Sequence, residues 1–238
     1  MLKNIPIKNI LFLDIETVPV SPNFHDLSND FQQLWVEKTH WQRKEQSPEE
    51  FYSLKAGIMA EFAKVICVSV GYLFQKKERS FFRLKSFYGH DEKLILQEFK
   101  QLLDEKFATS KHYLCAHNGK EFDYPFLCRR MLINGLTLPK PLDISGKKPW
   151  EVRHLDTMEM WKFGDYKHFT SIKLLAALFS IPTPKDDIDG SQVARVYWQE
   201  KDLERIKDYC QKDTLTVAQL FLRYQNKPIL EHDQIEVA

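Results

Sequence analysis

The sequence predicts a mixed α/β fold in which one β-sheet is flanked by helices. Three observations along the 238 residues support this class. A strongly apolar strand is followed by two β-rich segments arranged as a hairpin, short strands then alternate with helices, and the last third of the chain has helical patterns. Strands and helices in this order are typical of a sheet covered by helices. We expect one domain over residues 1–238, with one helical insertion.

The first strand is the stretch ILFLDIET, residues 10–17, and its continuous apolar run is typical of a strand buried on both faces. Asp14 and Glu16 stand at its end, and side chains two residues apart in a strand point to the same side. Two adjacent carboxylates repel each other unless water, a cation or shared protons compensate. Taken alone, the pair is most simply explained as a strand that has reached solvent.

The next elements are a helical insertion and a hairpin. Residues 20–60 are polar with two helical patterns, and Ser47 followed by proline is typical of a helix N-cap and first helical position. Residues 63–74 and 79–88 are rich in β-branched and aromatic residues, and the charged segment between them suits a hairpin turn. A helix over residues 91–107 follows, because apolar residues recur there at helical spacing.

Short strands alternate with helices in the second half of the chain. A strand at residues 113–116 precedes a helix near 124–134, which Gly135 can end. The loop of residues 137–150 combines three prolines with three lysines. The remaining predicted elements are a strand near 152–155, a helix start with the capping-box pattern at Asp156 and Glu159, helices near 157–163, 170–180, 190–199 and 201–225, and a polar tail over 226–238.

The composition favours a globular protein of the cytoplasm. The chain has 34 Lys and Arg against 33 Asp and Glu, which weakens any model in which it coats nucleic acid through bulk charge. The four cysteines form no CxxC pair, so neither a zinc site nor a disulfide framework is indicated. Because the N-terminal residues lack the apolar run of a signal peptide and no stretch is long enough to span a bilayer, we expect no membrane partner.

The last helix has an acidic residue on its apolar side. Its apolar residues form one stripe on a helical wheel, made of Leu203, Ile206, Cys210, Val217, Leu220, Phe221 and Tyr224. Asp213 falls inside this stripe, and Tyr209 lies at its edge one turn earlier. An ionised carboxylate in the core is costly unless it is paired. Asp213 therefore requires a hydrogen-bond network, a basic partner or a metal, and the plain alternative is a buried cap of some backbone group.

A further polar group, HNGKEFDYP at residues 117–125, follows the strand at 113–116. Asn-Gly is a turn signal, and Asp123 stands where it could cap the next helix, which is the structural explanation. In the functional explanation, Asp123 adds a third carboxylate and Asn118 an amide at the carboxyl end of a strand, where open α/β sheets place their sites.

Three segments together resemble the motifs D-x-E, N-x₂₋₃-F/Y-D and Y-x₃-D of proofreading 3′→5′ exonucleases in the ribonuclease-H-like superfamily. They are DIE at residues 14–16, NGKEFD at 118–123 and YCQKD at 209–213. The tyrosine of the third motif corresponds to the DEDDy type, typified by family B DNA polymerases. The segments AEFAKVICVSVG, AHNGKEFDYPFLCRRMLINGL and KDDIDGSQV resemble a stand-alone bacterial family of predicted exonucleases related to that polymerase domain.

This resemblance implies a ribonuclease-H-like sheet and a two-metal hydrolysis of phosphodiester bonds. The two divalent cations, Mg²⁺ or Mn²⁺, would be held by Asp14, Glu16, Asp123 and Asp213. Tyr209 would orient the attacking water. The residues expected at the terminal nucleotide or its supporting loop are Thr17, Asn118 and Phe122.

The implied substrate is the 3′ end of single-stranded DNA or RNA, with DNA favoured and nucleoside 5′-monophosphates as products. Lys147 and Lys148, in the loop of residues 137–150, are expected to contact the substrate backbone. The suggested protein partners are a separate polymerase or DNA repair proteins. Two alternatives stay open: a non-catalytic nucleic-acid-binding module, and a metal-dependent endonuclease on the same fold.

Overall fold

A six-stranded mixed β-sheet lies at the centre of the structure, a computed structural model that describes residues 5–148, 151–165, 169–182 and 188–238. The strands are β1 (Ile10–Pro19), β2 (Ala63–Lys76), β3 (Arg79–Tyr88), β4 (Tyr113–Ala116), β5 (Leu155–Asp156) and β6 (Ile235–Val237). They lie in the order β5-β4-β1-β2-β3-β6. β2 pairs antiparallel with both β1 and β3. The other pairs are parallel: β4 with β1, β5 with β4, and β6 with β3. The predicted mixed α/β class is therefore confirmed.

Helices cover both faces of this sheet. They are α1 (Asn29–Arg43), α2 (Pro48–Lys55), α3 (Glu92–Leu102), α4 (Asp123–Ile133), α5 (Thr157–Lys162), α6 (Ile172–Leu178), α7 (Val193–Arg195) and α8 (Leu203–Tyr224). π-Helical segments extend α3 through Leu103–Phe107 and α7 through Val196–Glu200. None of the described helices is both long and apolar enough to cross a membrane. Pro149 of the predicted loop, and Asp186 and Asp187 of the KDDIDGSQV segment, lie outside the described residues.

Alternate residues of β1 pack into two separate cores. Phe12 faces α8, where its ring lies 5.8 Å from that of Phe221, centroid to centroid. Leu11 and Leu13 face the opposite side and share a core with Phe99 of α3. Because strand side chains alternate between faces, β1 separates the molecule into an α8 side and an α3 side.

β1 runs past its two carboxylates, which corrects the expectation that they stand at its end. The strand continues to Pro19, which pairs with Ala63 of β2. Asp14 and Glu16 therefore lie in its middle, and the pairing register shifts directly after Glu16. Such an irregularity bends a strand and increases its local twist, and it is common beside functional sites.

The predicted helical insertion consists of α1 and α2 and is fixed to the end of β1. Ser47 and Glu50 form a capping box at the start of α2. Trp35 of α1 is fully buried, and its indole N–H donates to a backbone carbonyl at the start of α2. The Thr17 hydroxyl donates to the Gly57 carbonyl at 2.6 Å, which joins the insertion to the strand that holds Asp14.

The C-terminal residues do not form the polar tail expected over 226–238. β6 adds to the edge of the sheet beside β3. Two ion pairs fasten it there: Arg79 with Asp233 at 3.0 Å and Arg83 with Glu236 at 2.7 Å. A three-residue strand carries too little alternation to be recognised in a sequence.

Several predicted boundaries shift by a few residues. Phe122, rather than Asp123, occupies the N-cap position of α4. Asp156 caps α5 as predicted, but the Glu159 carboxylate pairs with the Lys120 ammonium at 2.5 Å, with no capping-box bond described for this pair. β5 begins at Leu155. Helix and strand ends depend on tertiary contacts that local patterns do not contain.

Candidate active site

Strand β1 and helix α8 meet at Asp14. Asp14 and Glu16 continue the row of Phe12 and so point towards α8. The Cys210 thiol of α8 donates a hydrogen bond to the Asp14 backbone carbonyl, with an Sγ–O distance of 3.4 Å. One carboxylate oxygen each of Asp14 and Glu16 and the Cys210 sulfur all lie within 4.8 Å of one another.

Asp123 reaches the same place from the start of α4. β4 runs parallel to β1 and ends at Ala116, so the loop after it lies beside the middle of β1. The Ile15 backbone N–H donates a hydrogen bond to the Asp123 carboxylate. Asp123 is only 4% exposed, and its charge contributes to the raised pKa of Asp14. A third carboxylate is thus buried against the first two.

Asp213 and Tyr209 come from successive turns of α8. The charge of Asp213 raises the pKa of both Asp14 and Glu16, so it lies close to them. The Tyr209 hydroxyl is hydrogen-bonded to Asp213. Burial, together with the charges of Asp213, Glu16 and Asp14, raises the pKa of Tyr209 far above its usual range. Tyr209 therefore stays protonated and remains a hydrogen-bond donor.

The electrostatics of these carboxylates are dominated by burial and mutual repulsion. Burial raises the pKa of Asp14 well above its usual range, and the charges of Asp213 and Asp123 raise it further. The pKa of Glu16 is raised by burial and then by Asp14. Burial also raises the pKa of Asp123 to about 7, although backbone hydrogen bonds act to lower it. A nearby positive charge would reverse these shifts.

The four carboxylates of Asp14, Glu16, Asp123 and Asp213, here called the acidic cluster, suit a divalent metal. The Oδ2 atom of Asp14 is buried and has no hydrogen-bond partner among the described residues. An acceptor left in this state is costly. Carboxylate oxygens are the ligands preferred by Mg²⁺ and Mn²⁺, and a bound cation would satisfy this oxygen and offset the repulsion.

Cys210, which the helical pattern predicts only as a member of the apolar stripe, is a neighbour of the acidic cluster. Its thiol donates to the Asp14 backbone carbonyl, and burial together with the neighbouring Cys67 raises its pKa. It is therefore a neutral donor that helps position Asp14. Its place three residues before Asp213, on the same side of a helix, was the available sequence signal.

Asp156 orders the loop that leads from β4 to Asp123. Its carboxylate accepts hydrogen bonds from four backbone N–H groups, those of Asn118, Lys120, Met158 and Glu159. Asn118 has a left-handed backbone with φ 64°, a conformation that asparagine tolerates. His117 uses both ring nitrogens in hydrogen bonds within the fold. The loop before Asp123 is thereby held in one conformation.

Two of the predicted substrate residues, Asn118 and Lys147, line a common cleft of about 350 Å³. Lys120 and Lys162 line it too. No sequence pattern distinguishes these two lysines from other surface lysines, because their place in the cleft depends on how the loop and α5 pack. We call this cavity the Asn118 cleft.

The other three predicted substrate residues are not among the described residues that line the Asn118 cleft. The Thr17 hydroxyl is engaged with the insertion. Phe122 is half-buried, with its ring 5.3 Å from that of Phe126. Lys148 is exposed, and its backbone N–H donates to the Glu151 carboxylate at 2.8 Å.

The six-stranded mixed sheet flanked by helices defines the class of protein: a ribonuclease-H-like α/β fold, here with carboxylates brought together from β1, α4 and α8. Within that class, the chain belongs to a family of predicted 3′-5′ exonucleases related to the exonuclease domain of PolB, whose model matches residues 58–234. The matched segment contains Asp123, Tyr209 and Asp213 and begins after β1. Nucleic acid is the substrate class of such a family.

Among solved structures, the chain is similar to the family B DNA polymerase from the hyperthermophilic archaeon Pyrobaculum calidifontis. The TM-score is 0.55 and the sequence identity is 16%, so the likeness is one of fold. The match covers 92% of this chain and 25% of the polymerase chain, so the chain spans about a quarter of the length of that protein. A search of the curated proteins finds no match.

Proposed function

We propose that the chain is a metal-dependent 3′→5′ exonuclease of the DEDDy type, which hydrolyses single-stranded nucleic acid to nucleoside 5′-monophosphates. The observation that carries this proposal is the acidic cluster, where a buried Asp14 oxygen without a partner lies among mutually repelling carboxylates. Membership of a predicted exonuclease family supports it independently.

Two divalent cations, Mg²⁺ or Mn²⁺, are the cofactors of this proposal. Asp14, Glu16 and Asp213 would hold one of them, and Asp14 and Asp123 would hold the other. Bound metal supplies positive charge that stabilises the attacking and leaving oxygens of an in-line displacement at phosphorus. The oxygen-only carboxylate set supports this choice of metals.

Tyr209 is proposed to orient the attacking water. Its hydroxyl is anchored at Asp213, and its raised pKa keeps it protonated at neutral pH. A protonated phenol can hold a water in one orientation without itself removing a proton. Exact placement of a reactant in this way is a recognised source of rate acceleration.

The substrate strand is proposed to enter past the loop that precedes Asp123. Asn118 lies in this loop, and Lys147 approaches it across the Asn118 cleft. Lys147 and Lys148 would contact phosphates. Thr17 of β1 and Phe122, at the N-cap of α4, would support the terminal nucleotide. Lysine contacts to phosphate give affinity without sequence preference.

We propose DNA over RNA as the substrate, with a cytoplasmic location and a separate polymerase or DNA repair proteins as partners. Discrimination against RNA requires that a residue of the site contact the position of the 2′-hydroxyl of the terminal nucleotide. Parallel assays on DNA and RNA strands of the same sequence separate the two substrates.

The direct test of this function is a time course on 5′-labelled single strands of DNA and RNA with Mg²⁺, Mn²⁺ or EDTA. We expect a ladder that shortens from the 3′ end with either metal and no reaction with EDTA. A circular single strand should persist, because an exonuclease needs an end. Cleavage of the circle would identify an endonuclease, and an unchanged linear strand would identify a non-catalytic binding module.

A further inference from the structure

Three clefts lie end to end in the structure and share lining residues. The Asn118 cleft adjoins a second cleft of about 190 Å³, and the two share Ile144 and Lys147. The second cleft adjoins a third of about 410 Å³, and these two share Phe107 and His112. The second cleft therefore lies between the other two, and we call this row of three neighbouring clefts the basic track.

Basic side chains line the near half of the track. Lys120, Lys147 and Lys162 line the Asn118 cleft, and Lys140 and Arg153 line the second. Four acidic side chains line this half as well: Glu121, Glu151, Asp156 and Glu159. Glu159 pairs with Lys120, the Asp156 carboxylate accepts four backbone N–H groups, and Glu151 accepts from the Lys148 backbone N–H.

The far cleft is more strongly basic. Its cationic residues are Lys8, Arg83, Lys85 and Lys106, and no acidic side chain occurs among the described residues that line it. Arg83 is paired with Glu236 of β6, so the three lysines supply most of the positive charge of this cleft. The formal net charge of the whole chain is only +1. The overall composition therefore conceals a local concentration of positive charge, which is the electrostatic footprint expected of a polyanion site.

Apolar side chains line the same three clefts as these cations. Ile144 and Phe107 stand at the two junctions between clefts, and Tyr72 and Leu102 line the far end. Single-stranded nucleic acid presents charged phosphates and apolar base faces along one chain. A groove that interleaves cations with apolar and aromatic groups suits such a strand.

The geometry of the sheet gives the course and the length of the track. It begins at Asn118, beyond the carboxyl end of β4, and passes His112, before the amino end of β4. It ends at Leu11 and Lys85, on the α3 side of the sheet. The six residues from Asn118 back to His112 and the three strand spacings from β4 to β3 together amount to roughly 35 Å. That length corresponds to about ten nucleotides at a stacked rise of 3.4 Å per nucleotide.

We propose that the basic track binds the 5′-ward part of a single strand whose 3′ end lies at the acidic cluster. This proposal rests on the proposed exonuclease function and names its preferred substrate. Long single strands that fill the track are bound and degraded in preference to strands of a few nucleotides, which reach only the Asn118 cleft.

The test uses the double variant Lys85→Glu/Lys106→Glu, which reverses two charges in the far cleft and leaves the acidic cluster untouched. The matched control is Lys55→Glu/Lys93→Glu, which makes the same charge change at exposed lysines of α2 and α3 that do not line the track. Binding is measured by fluorescence anisotropy with labelled oligothymidylates of 4 and 20 nucleotides, in an Asp14→Asn background that prevents degradation.

We expect the far-cleft variant to weaken binding of the 20-nucleotide strand by about tenfold or more, because two attractive contacts become repulsive. The slope of log K against log salt should also fall by roughly 0.7 for each lost phosphate contact. The 4-nucleotide strand and the control variant should show no such change. When the far-cleft variant keeps its native Asp14 and is assayed for hydrolysis, its KM for the long strand should be higher than that of the wild type, and its kcat should be the same.

Equal binding of the 20-nucleotide strand by the far-cleft and control variants would overturn the proposal, as would equal losses for both strand lengths. The binding arm does not depend on hydrolysis. A wild-type protein that binds long strands through the far cleft but degrades nothing would contradict the exonuclease function alone. A wild-type protein that degrades the 4-nucleotide and 20-nucleotide strands with the same KM would contradict the proposed role of the basic track alone.

Discussion

At the scale of single residues, Asp14 interacts electrostatically with each of the other members of the acidic cluster. Its Oδ2 atom is buried without a hydrogen-bond partner, while its backbone carbonyl accepts from Cys210. Burial and the charges of Asp213 and Asp123 raise its pKa. A metal-free cluster is thus electrostatically unfavourable at any pH at which its carboxylates are ionised, and a bound cation should stabilise the fold.

Asp123 makes this stabilisation dependent on pH. Its pKa is about 7 in the folded protein against a usual value of 3.8, so the folded state binds this proton more tightly than the unfolded chain. The resulting contribution to metal-free stability is present below about pH 4 and is lost as the pH rises through 7. Metal must displace the same proton, so its affinity should rise over this range.

We therefore predict that Mg²⁺ raises the melting temperature more at pH 8 than at pH 5.5. At 100 times its dissociation constant, a ligand stabilises by about 2.7 kcal/mol. For a chain of this size, that corresponds to roughly 5–10 °C. Scanning calorimetry at the two pH values, with and without Mg²⁺, measures the effect, and Asp123→Asn should reduce its pH dependence. An identical shift at both pH values, or none at all, would contradict the assignment.

Tyr209 should affect turnover rather than metal binding. Tyr209→Phe removes the hydroxyl anchored at Asp213 and leaves every carboxylate in place. We expect kcat to fall on the order of 10²-fold, because the water is no longer oriented. The Mg²⁺-induced shift in melting temperature should be unchanged.

The control for Tyr209 is Tyr224→Phe, in the same helix. The Tyr224 hydroxyl donates to the Thr157 carbonyl. Its loss should leave kcat close to the wild-type value. An unaltered kcat in Tyr209→Phe would remove this residue from the mechanism.

At the scale of elements, helix α4 is held at its far end by a buried ion pair. Arg130 donates to both carboxylate oxygens of Glu92, at 2.8 and 2.6 Å, and to the Ala60 carbonyl. Asn134 and the Val65 backbone N–H donate to the same carboxylate. This network joins α3, α4 and β2, and it fixes the helix whose first turn presents Asp123.

Arg130→Met should therefore destabilise the protein strongly, because it leaves Glu92 buried without its cation. The cost of breaking such a pair is about 3–5 kcal/mol. Urea unfolding measures it, and Arg129→Met, an exposed neighbour on the same helix, should change stability by less than about 0.5 kcal/mol. Similar losses in both variants would show that the ion pair does not anchor α4.

The elements differ in how far local sequence could predict them. The β2–β3 hairpin was predictable because both strands are long and β-rich around a charged turn, and the observed β3 has the predicted bounds. The extension of β1 to Pro19 depends on pairing with β2, and β6 depends on ion pairs from Arg79 and Arg83. Local patterns do not contain these partners.

The same distinction applies to the candidate site. The acidic residues and Tyr209 were predicted because they form ordered motifs, and the structure brings them together. The position of Cys210 beside Asp14 and the approach of Lys120 and Lys162 to Asn118 are products of packing. They became visible only when the elements were assembled.

At the scale of the whole molecule, charge is separated although the net charge is only +1. Negative charge is concentrated in the acidic cluster on the α8 side of β1. Positive charge is concentrated in the far cleft of the basic track, on the α3 side. This separation suits a polyanion that is held along the track while cations gather at the cluster.

The central claim is that the acidic cluster is the catalytic centre of a metal-dependent exonuclease. The most direct measurement is the initial rate of release of 3′-terminal nucleotides from a 20-nucleotide single strand in Mg²⁺, for wild type, Asp14→Asn, Asp213→Asn and the exposed α8 control Asp208→Asn. We predict that the first two variants lose roughly 10²-fold or more in rate, while the control stays close to wild type. Wild-type rates in Asp14→Asn or Asp213→Asn would contradict the account.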